Sequence, residues 1–249
     1  MTPLRAFHEN PAIKATYLAR VRAHREADDL IHGVYWVRGK GCAVGCTIHG
    51  SDHYAYEREL GVPTILAHLE DRLFESLPTE AAQQWPEVFL EAIPVGADLS
   101  LVWPKFAVWL LTDPQEGVVR FAWDKGRRAI TGVSELYQRM CAGQSVSREE
   151  WTAARAAAYD ACYRAAGDAA LASATAGRAA AVYDARTARA TGEATFVTDD
   201  EEAAWAATGA ARTAASAALG ASGNAGVDAA ADAATKRQAE KLLELLRTA

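Results

Sequence analysis

Alanine dominates the C-terminal part of this chain and restricts what that part can fold into. It supplies 56 of the 249 residues, and 39 of those 56 lie after residue 150. Alanine has the highest helix propensity because it loses no side-chain entropy on folding. It also buries little apolar surface, so alanine-rich helices are stabilised mainly by close approach. We therefore predict an alanine-rich helical bundle over residues 147–249, with further helix starts at Thr198–Glu202 and at Asp228.

The first 146 residues are predicted to form a separate helical domain. Asn10 can cap a helix that begins at Pro11, and Gly33 can end it after His32. Leucines at helical spacing over residues 65–77 predict a second, amphipathic helix. The fold class is therefore mainly α, with domains at residues 1–146 and 147–249.

Two further features of this part carry local predictions. The Trp85-Pro86 pair is expected to kink or split a helix over residues 81–93, because proline removes a hydrogen-bond donor. The sequence from Gly117 to Ala122 is compatible with a strand or a turn.

A glycine-rich stretch interrupts the helical pattern at residues 33–50. It contains five glycines, which permit tight turns or close backbone approach. Tyr35–Val37 can form a short strand that is followed by a tight turn over Arg38–Gly41. We expect a small irregular or β-hairpin Gly/Cys loop here.

Charge and cysteine content exclude several classes of protein. The net charge is −6, which does not favour nucleic-acid binding through phosphate contacts. The longest apolar stretch, Leu99–Leu111, is too short to cross a bilayer. Four cysteines in a chain of this length do not form a disulfide framework, so we expect a reduced, cytoplasmic location without membrane contact.

One local constellation points to metal chemistry. Cys42-x₃-Cys46-x₂-His49-x₃-His53 places four potential zinc ligands within 12 residues. A Cys₂His₂ set can supply the tetrahedral coordination that zinc prefers. The spacing differs from that of a zinc finger, so the loop would have to fold back on itself.

The same residues are compatible with nucleophilic catalysis. A cysteine just before a helix N-terminus can have a lowered pKa, and a nearby histidine can act as its base. Asp52 or Glu57 would then orient the imidazole. In this alternative the catalytic residues are Cys42, Cys46, His49 and His53.

A purely structural interpretation stays open beside these two. Free cysteines are among the most buried residue types, so Cys42 and Cys46 can be small core residues. His24 and His68 are expected to be core histidines, although either could join the loop cluster across helices. Three acidic residues of the second helix are expected on a solvated face: Glu70, Asp71 and Glu75.

Two stretches resemble known groups of proteins. The block Gly39–His49 (GKGCAVGCTIH), together with Ile93–Asp98 (IPVGAD), resembles a stretch of uncharacterised bacterial and phage proteins. The last 100 residues are similar in amino-acid composition to immunity proteins built from alanine-rich helices. Neither resemblance carries a functional residue over to this chain.

These observations lead to two functional hypotheses from different classes. The first is a cytoplasmic accessory or interaction protein whose Cys/His loop is held by zinc or packed as a binding surface, with a protein partner or a second copy of the chain. The alternative is a small cysteine-dependent enzyme that acts on an acyl, amide or related electrophile through a loop cysteine and a nearby histidine.

Overall fold

The computed structural model describes residues 4–122, 124–171, 189, 194 and 224–249. Most of them are helical, which confirms the mainly α class. Within these residues the strands form a single two-stranded sheet. No helix in the described part of the chain is both long enough and apolar enough for a transmembrane span.

The chain packs into two compact units, which are Met1–Trp103 with Ala239–Ala249, and Pro104–Gln238. The predicted domains, residues 1–146 and 147–249, stay a prediction, because these units describe packing and do not test which segments fold independently. The first unit contains, in chain order, α1 (Pro11–Glu26), β1 (Trp36–Val37), β2 (Lys40–Gly41), α2 (Ala43–Ile48), α3 (Thr64–Ser76) and α4 (Thr79–Ala92).

Helix α1 begins where the sequence predicts and ends earlier. The Asn10 Oδ1 atom accepts a hydrogen bond from the Ala12 N–H at 3.0 Å, so Asn10 is the predicted N-cap. The helix stops at Glu26 because Asp28 adopts a left-handed conformation with a φ of 56°. Gly33, with a φ of 77°, lies in the following loop and does not end the helix.

Helices α3 and α4 supply much of the core of the first unit. The predicted leucine face of α3 is buried at Leu66, Leu69 and Leu73. Helix α4 runs through Pro86, so the predicted split at Trp85-Pro86 does not occur, whereas the kink that was the alternative stays a prediction. The Trp85 indole N–H donates to the Glu70 carbonyl of α3 at 3.0 Å. We infer that this packing between helices offsets the donor that proline removes.

The second unit is built around α6 (Asp124–Cys141) and α7 (Arg148–Leu171), which pack against each other. Their contact includes a buried cluster of Ala129, Ala158 and Ala161, which is the close approach that alanine permits. Before α6, the stretch predicted as a strand or a turn forms a 3₁₀ turn at Val118–Phe121.

Two helices cross the boundary between the units. Helix α5 spans Val102–Thr112, and the last helix, α8, spans Asn224–Arg247. Helix α8 begins four residues before its predicted cap at Asp228. The predicted helix start at Thr198–Glu202 lies outside the described residues.

Candidate functional site

The Gly/Cys/His segment, residues 33–53, begins with a tight hairpin. Strands β1 and β2 pair antiparallel, with Trp36 opposite Gly41. The two residues between them, Arg38 and Gly39, have φ angles of 52° and 88°. Positive φ at both positions matches the twist of a two-residue hairpin. The hairpin alternative predicted for this loop is therefore confirmed.

A short helix that the sequence did not predict follows the hairpin. Cys42 caps α2, because its Sγ atom accepts a hydrogen bond from the Gly45 N–H at 3.4 Å. The hairpin lies so close to α2 that a Cβ atom on Gly45 would lie 1.6 Å from the Tyr35 carbonyl oxygen. At Gly41 the corresponding distance would be 2.0 Å. Neither position has room for a Cβ atom. The contact at Gly45 places α2 against the Tyr35 backbone, whereas Gly41 belongs to β2, so its contact lies within the hairpin.

Both thiols of the segment are fully buried, and their environment opposes thiolate formation. Burial raises the pKa of Cys42, and the nearby Asp71 carboxylate raises it further. Burial also raises the pKa of Cys46 to about 12. The Cys46 thiol donates to the Gly41 carbonyl at 3.4 Å. Burial therefore opposes the lowering of a thiol pKa that the nucleophilic alternative requires, and that alternative stays a prediction.

His49 lies at the C-terminal end of α2 and meets His24 of α1. The two Nε2 atoms are 2.9 Å apart. His49 adopts a left-handed conformation with a φ of 55°, and its ring stacks on Trp36 at 4.8 Å. On the far side of His24, the Nδ1 atom lies 3.2 Å from Oδ2 of Asp29. His24 therefore joins the loop cluster across helices, which was the alternative expected for it.

His53 belongs to a different, buried cluster. Its ring stacks on His68 of α3 with the centroids 4.0 Å apart and the planes 5° apart. Its Nε2 atom lies 3.7 Å from Oδ2 of Asp71. The Nδ1 atom lies 3.3 Å from the Ser51 carbonyl, which can only accept, so Nδ1 carries a hydrogen. His68 thus joins the loop cluster as well.

Two acidic residues of α3 correct the prediction of a solvated face. Glu70 and Asp71 are both buried, and Glu75 is half-buried. The Tyr56 hydroxyl donates to Glu70 Oε2 at 2.6 Å. Burial raises the pKa of Glu70 well above its usual range, although the hydrogen bond from Tyr56 opposes that shift. Glu75 accepts hydrogen bonds from the Gly33 N–H at 2.9 and 3.0 Å.

The four predicted site residues divide between the two clusters. Cys42 interacts with Asp71, which also faces His53. The Cys46 thiol faces the Asp29 carbonyl, and His49 contacts His24, which in turn contacts the Asp29 carboxylate. Among the residues that the structure describes, no group of three or more His, Cys, Asp or Glu side chains is placed to hold a metal ion. A zinc site formed by the four predicted residues, Cys42, Cys46, His49 and His53, stays a prediction.

Some residues of these clusters were missed by sequence reasoning. Glu70 carried a signal, because it lies four residues after Leu66 and three before Leu73, on the predicted apolar stripe of α3. Asp29 and Asp71 carried none, because their roles depend on contacts with His24 and His53 from other elements.

Comparisons of the chain with protein-family models, with curated proteins and with solved structures found no match.

Proposed function

We propose that the protein is an accessory or interaction protein that binds a protein partner through an exposed apolar rim formed by the Gly/Cys/His segment and the residue that directly follows it. The rim consists of Tyr35, Val37 and Tyr54, whose exposed fractions are 42%, 55% and 65%. The observation that carries the proposal is the exposure of these three large side chains within residues 35–54. Large exposed apolar patches are typical of interaction sites, and tyrosine is enriched in them.

The three rim residues belong to neighbouring parts of the chain. Tyr35 directly precedes β1, and Val37 is the last residue of that strand. The Tyr35 ring lies 5.5 Å from the ring of His53, which directly precedes Tyr54. Arg58 and Lys40, both at least half exposed, supply charged groups nearby. Apolar residues with charged neighbours match the core-and-rim composition of protein interfaces.

The scaffold beneath the rim supports the same proposal. The hairpin lies against α2 at Gly45, and both thiols are buried. A preformed surface loses less conformational entropy on binding than a flexible loop does. Buried thiols with raised pKa values do not favour the cysteine-dependent enzyme.

A cytoplasmic location belongs to the same proposal. All four cysteines, Cys42, Cys46, Cys141 and Cys162, are free thiols. Free thiols are typical of proteins in a reducing compartment.

Site-specific photo-crosslinking in cells tests the rim. A benzophenone amino acid is introduced at Tyr54 or, as the control, at Tyr163 of α7, which is 75% exposed. We expect one defined adduct from position 54, none from position 163, and loss of the adduct in the double variant Tyr35→Ser/Val37→Ser. An adduct of twice the mass of the chain identifies the partner as a second copy. The same adducts at both positions, or none at position 54, would contradict the proposal.

A further inference from the structure

Two histidines from different elements direct ring nitrogens at one point on the surface of the first unit. His24 is in α1 and His49 ends α2, and their Nε2 atoms are 2.9 Å apart. The rings are perpendicular, with centroids 5.1 Å apart. The side chain of His24 is 14% exposed, so the point where they meet is close to solvent.

The hydrogen bond to Asp29 fixes which nitrogen of His24 is available. A carboxylate only accepts, so the Nδ1 atom of His24, 3.2 Å from Asp29 Oδ2, carries the hydrogen. The Nε2 atom of a neutral His24 then accepts the hydrogen bond that the Nε2–H of His49 donates at 2.9 Å, and a metal ion bound to both nitrogens would replace this hydrogen. A carboxylate behind an imidazole is the usual arrangement around metal-binding histidines, because it fixes the tautomer and orients the ring.

His49 is held in place as a second donor. Its ring stacks on Trp36 at an interplanar angle of 14°. The Arg20 guanidinium donates to the Thr47 carbonyl at 2.7 Å, so its charge is directed at the backbone of α2.

We propose that His24 and His49 bind one Zn²⁺ ion through their Nε2 atoms, with Asp29 supporting His24 from behind. Zinc–nitrogen bonds of about 2.0–2.1 Å at a tetrahedral angle separate two ligand nitrogens by about 3.3 Å. The two Nε2 atoms therefore need to move apart by about 0.4 Å, which small side-chain rotations provide. Water or a group from a binding partner completes the coordination. This inference does not depend on the apolar rim, and it uses only His49 of the four residues that the spacing predicted.

The cations near the pair set a limit on its affinity. Lys40 lies 3.2 Å from Asp29 Oδ1, and Arg20 is close enough to lower the pKa of His49. Both charges oppose a bound dication, so we expect weaker binding than at a structural zinc site with four ligands.

Calorimetric titration of Zn²⁺ into the full chain, after removal of any affinity tag, tests the site. We expect one ion per chain, no measurable binding in His24→Gln or His49→Asn, and about a tenfold or greater loss of affinity in Asp29→Asn. Asparagine suits position 49 because it tolerates the left-handed conformation. His32→Gln is the matched control, since His32 is exposed and should not alter binding.

Absence of stoichiometric binding to the wild-type chain would overturn the inference, as would binding that both histidine variants retain. Circular dichroism of each variant distinguishes loss of the site from loss of the fold. Co²⁺ provides a second readout that does not depend on any variant. The His24–His49 site predicts visible d–d bands without a thiolate charge-transfer band. A thiolate band would instead place the ion on Cys42 or Cys46 and contradict the inference.

Discussion

The buried imidazole of His53 faces the buried carboxylate of Asp71, with Nε2 of His53 3.7 Å from Oδ2 of Asp71. Within the described part of the chain, neither His53 Nε2 nor Asp71 Oδ1 has a hydrogen-bond partner. Buried polar atoms of this kind are costly unless an opposite charge compensates them. The pair therefore places a buried polar group of the Gly/Cys/His segment opposite a buried carboxyl group of α3.

Removal of one partner of this pair should destabilise the first unit strongly. We expect Asp71→Ala to lower the free energy of unfolding by about 3 kcal/mol, because the facing imidazole is left buried without its carboxylate. Urea denaturation followed by circular dichroism measures the change.

Asp52→Ala is the matched control for the Asp71 variant. Asp52 pairs with Arg58 at 3.3 Å, and both side chains are more than half exposed. Its loss should therefore cost no more than about 1 kcal/mol. Equal effects of the two substitutions would contradict the importance of the buried pair.

Because the hairpin lies against α2, a single methyl group added at Gly45 should lower the free energy of unfolding markedly. In Gly45→Ala the new Cβ would lie 1.6 Å from the Tyr35 carbonyl oxygen, so the backbone has to move. We expect a loss of about 1–3 kcal/mol or more in the free energy of unfolding.

Gly50→Ala controls for the general effect of replacing glycine in this segment. Its Cβ would meet only Ile48 Cδ1, at 4.0 Å, which is an ordinary contact. A stability change no larger at position 45 than at position 50 would show that the hairpin does not lie against α2.

Glu70 predicts how stability depends on pH. Its folded-state pKa is raised above the ordinary value of 4.5, so the folded state holds the proton more tightly than the unfolded state. The resulting contribution to stability is fully present below that ordinary value and is lost as the pH rises through the raised folded-state pKa.

Glutamine at position 70 cannot ionise, so the melting temperature of Glu70→Gln relative to wild type should increase between about pH 5 and about pH 8. Thermal unfolding of both proteins at the two pH values checks this. Glu80→Gln, on the exposed first turn of α4, should show no such increase. A difference between Glu70→Gln and wild type that does not grow with pH would contradict the assignment.

The hydrogen bonds at the start of α7 predict that loss of the Ser147 side chain lowers the free energy of unfolding by a smaller amount. The Ser147 Oγ atom accepts from the Glu150 N–H at 3.1 Å, and Glu150 Oε2 accepts from the Ser147 N–H at 2.8 Å. This reciprocal pair is a capping box. Ser147→Ala should therefore cost about 1 kcal/mol in the free energy of unfolding.

Ser145→Ala is the control for the capping box, because position 145 contributes its backbone carbonyl, which accepts from Arg139. Comparable losses in the two serine variants, measured by urea denaturation, would contradict the role of the Ser147 side chain.

Local sequence signals predicted the parts of the fold that local chemistry determines. The sequence predicts the cap at Asn10, the leucine face of α3 and the tight turn over Arg38–Gly41. In each case the signal lies within a few residues of the feature that it determines. The mainly α class followed from the same kinds of signal.

The features that sequence reasoning missed depend on tertiary contacts. Helix α2 contains glycine and β-branched residues, and a cysteine caps it, so no propensity indicates a helix there. The continuity of α4 through Pro86 depends on packing against α3. The four predicted site residues lie close in sequence, but α2 separates their partners into two clusters that include His24 and His68.

The Gly/Cys/His segment buries both of its thiols, and burial favours their protonated form. The rate of alkylation of the native Cys141→Ser/Cys162→Ser variant measures this protection, because only Cys42 and Cys46 remain to react. We predict no reaction near neutral pH until denaturant unfolds the chain, and then modification of both thiols. Rapid alkylation of either cysteine in the native protein would contradict the account and favour a reactive thiol.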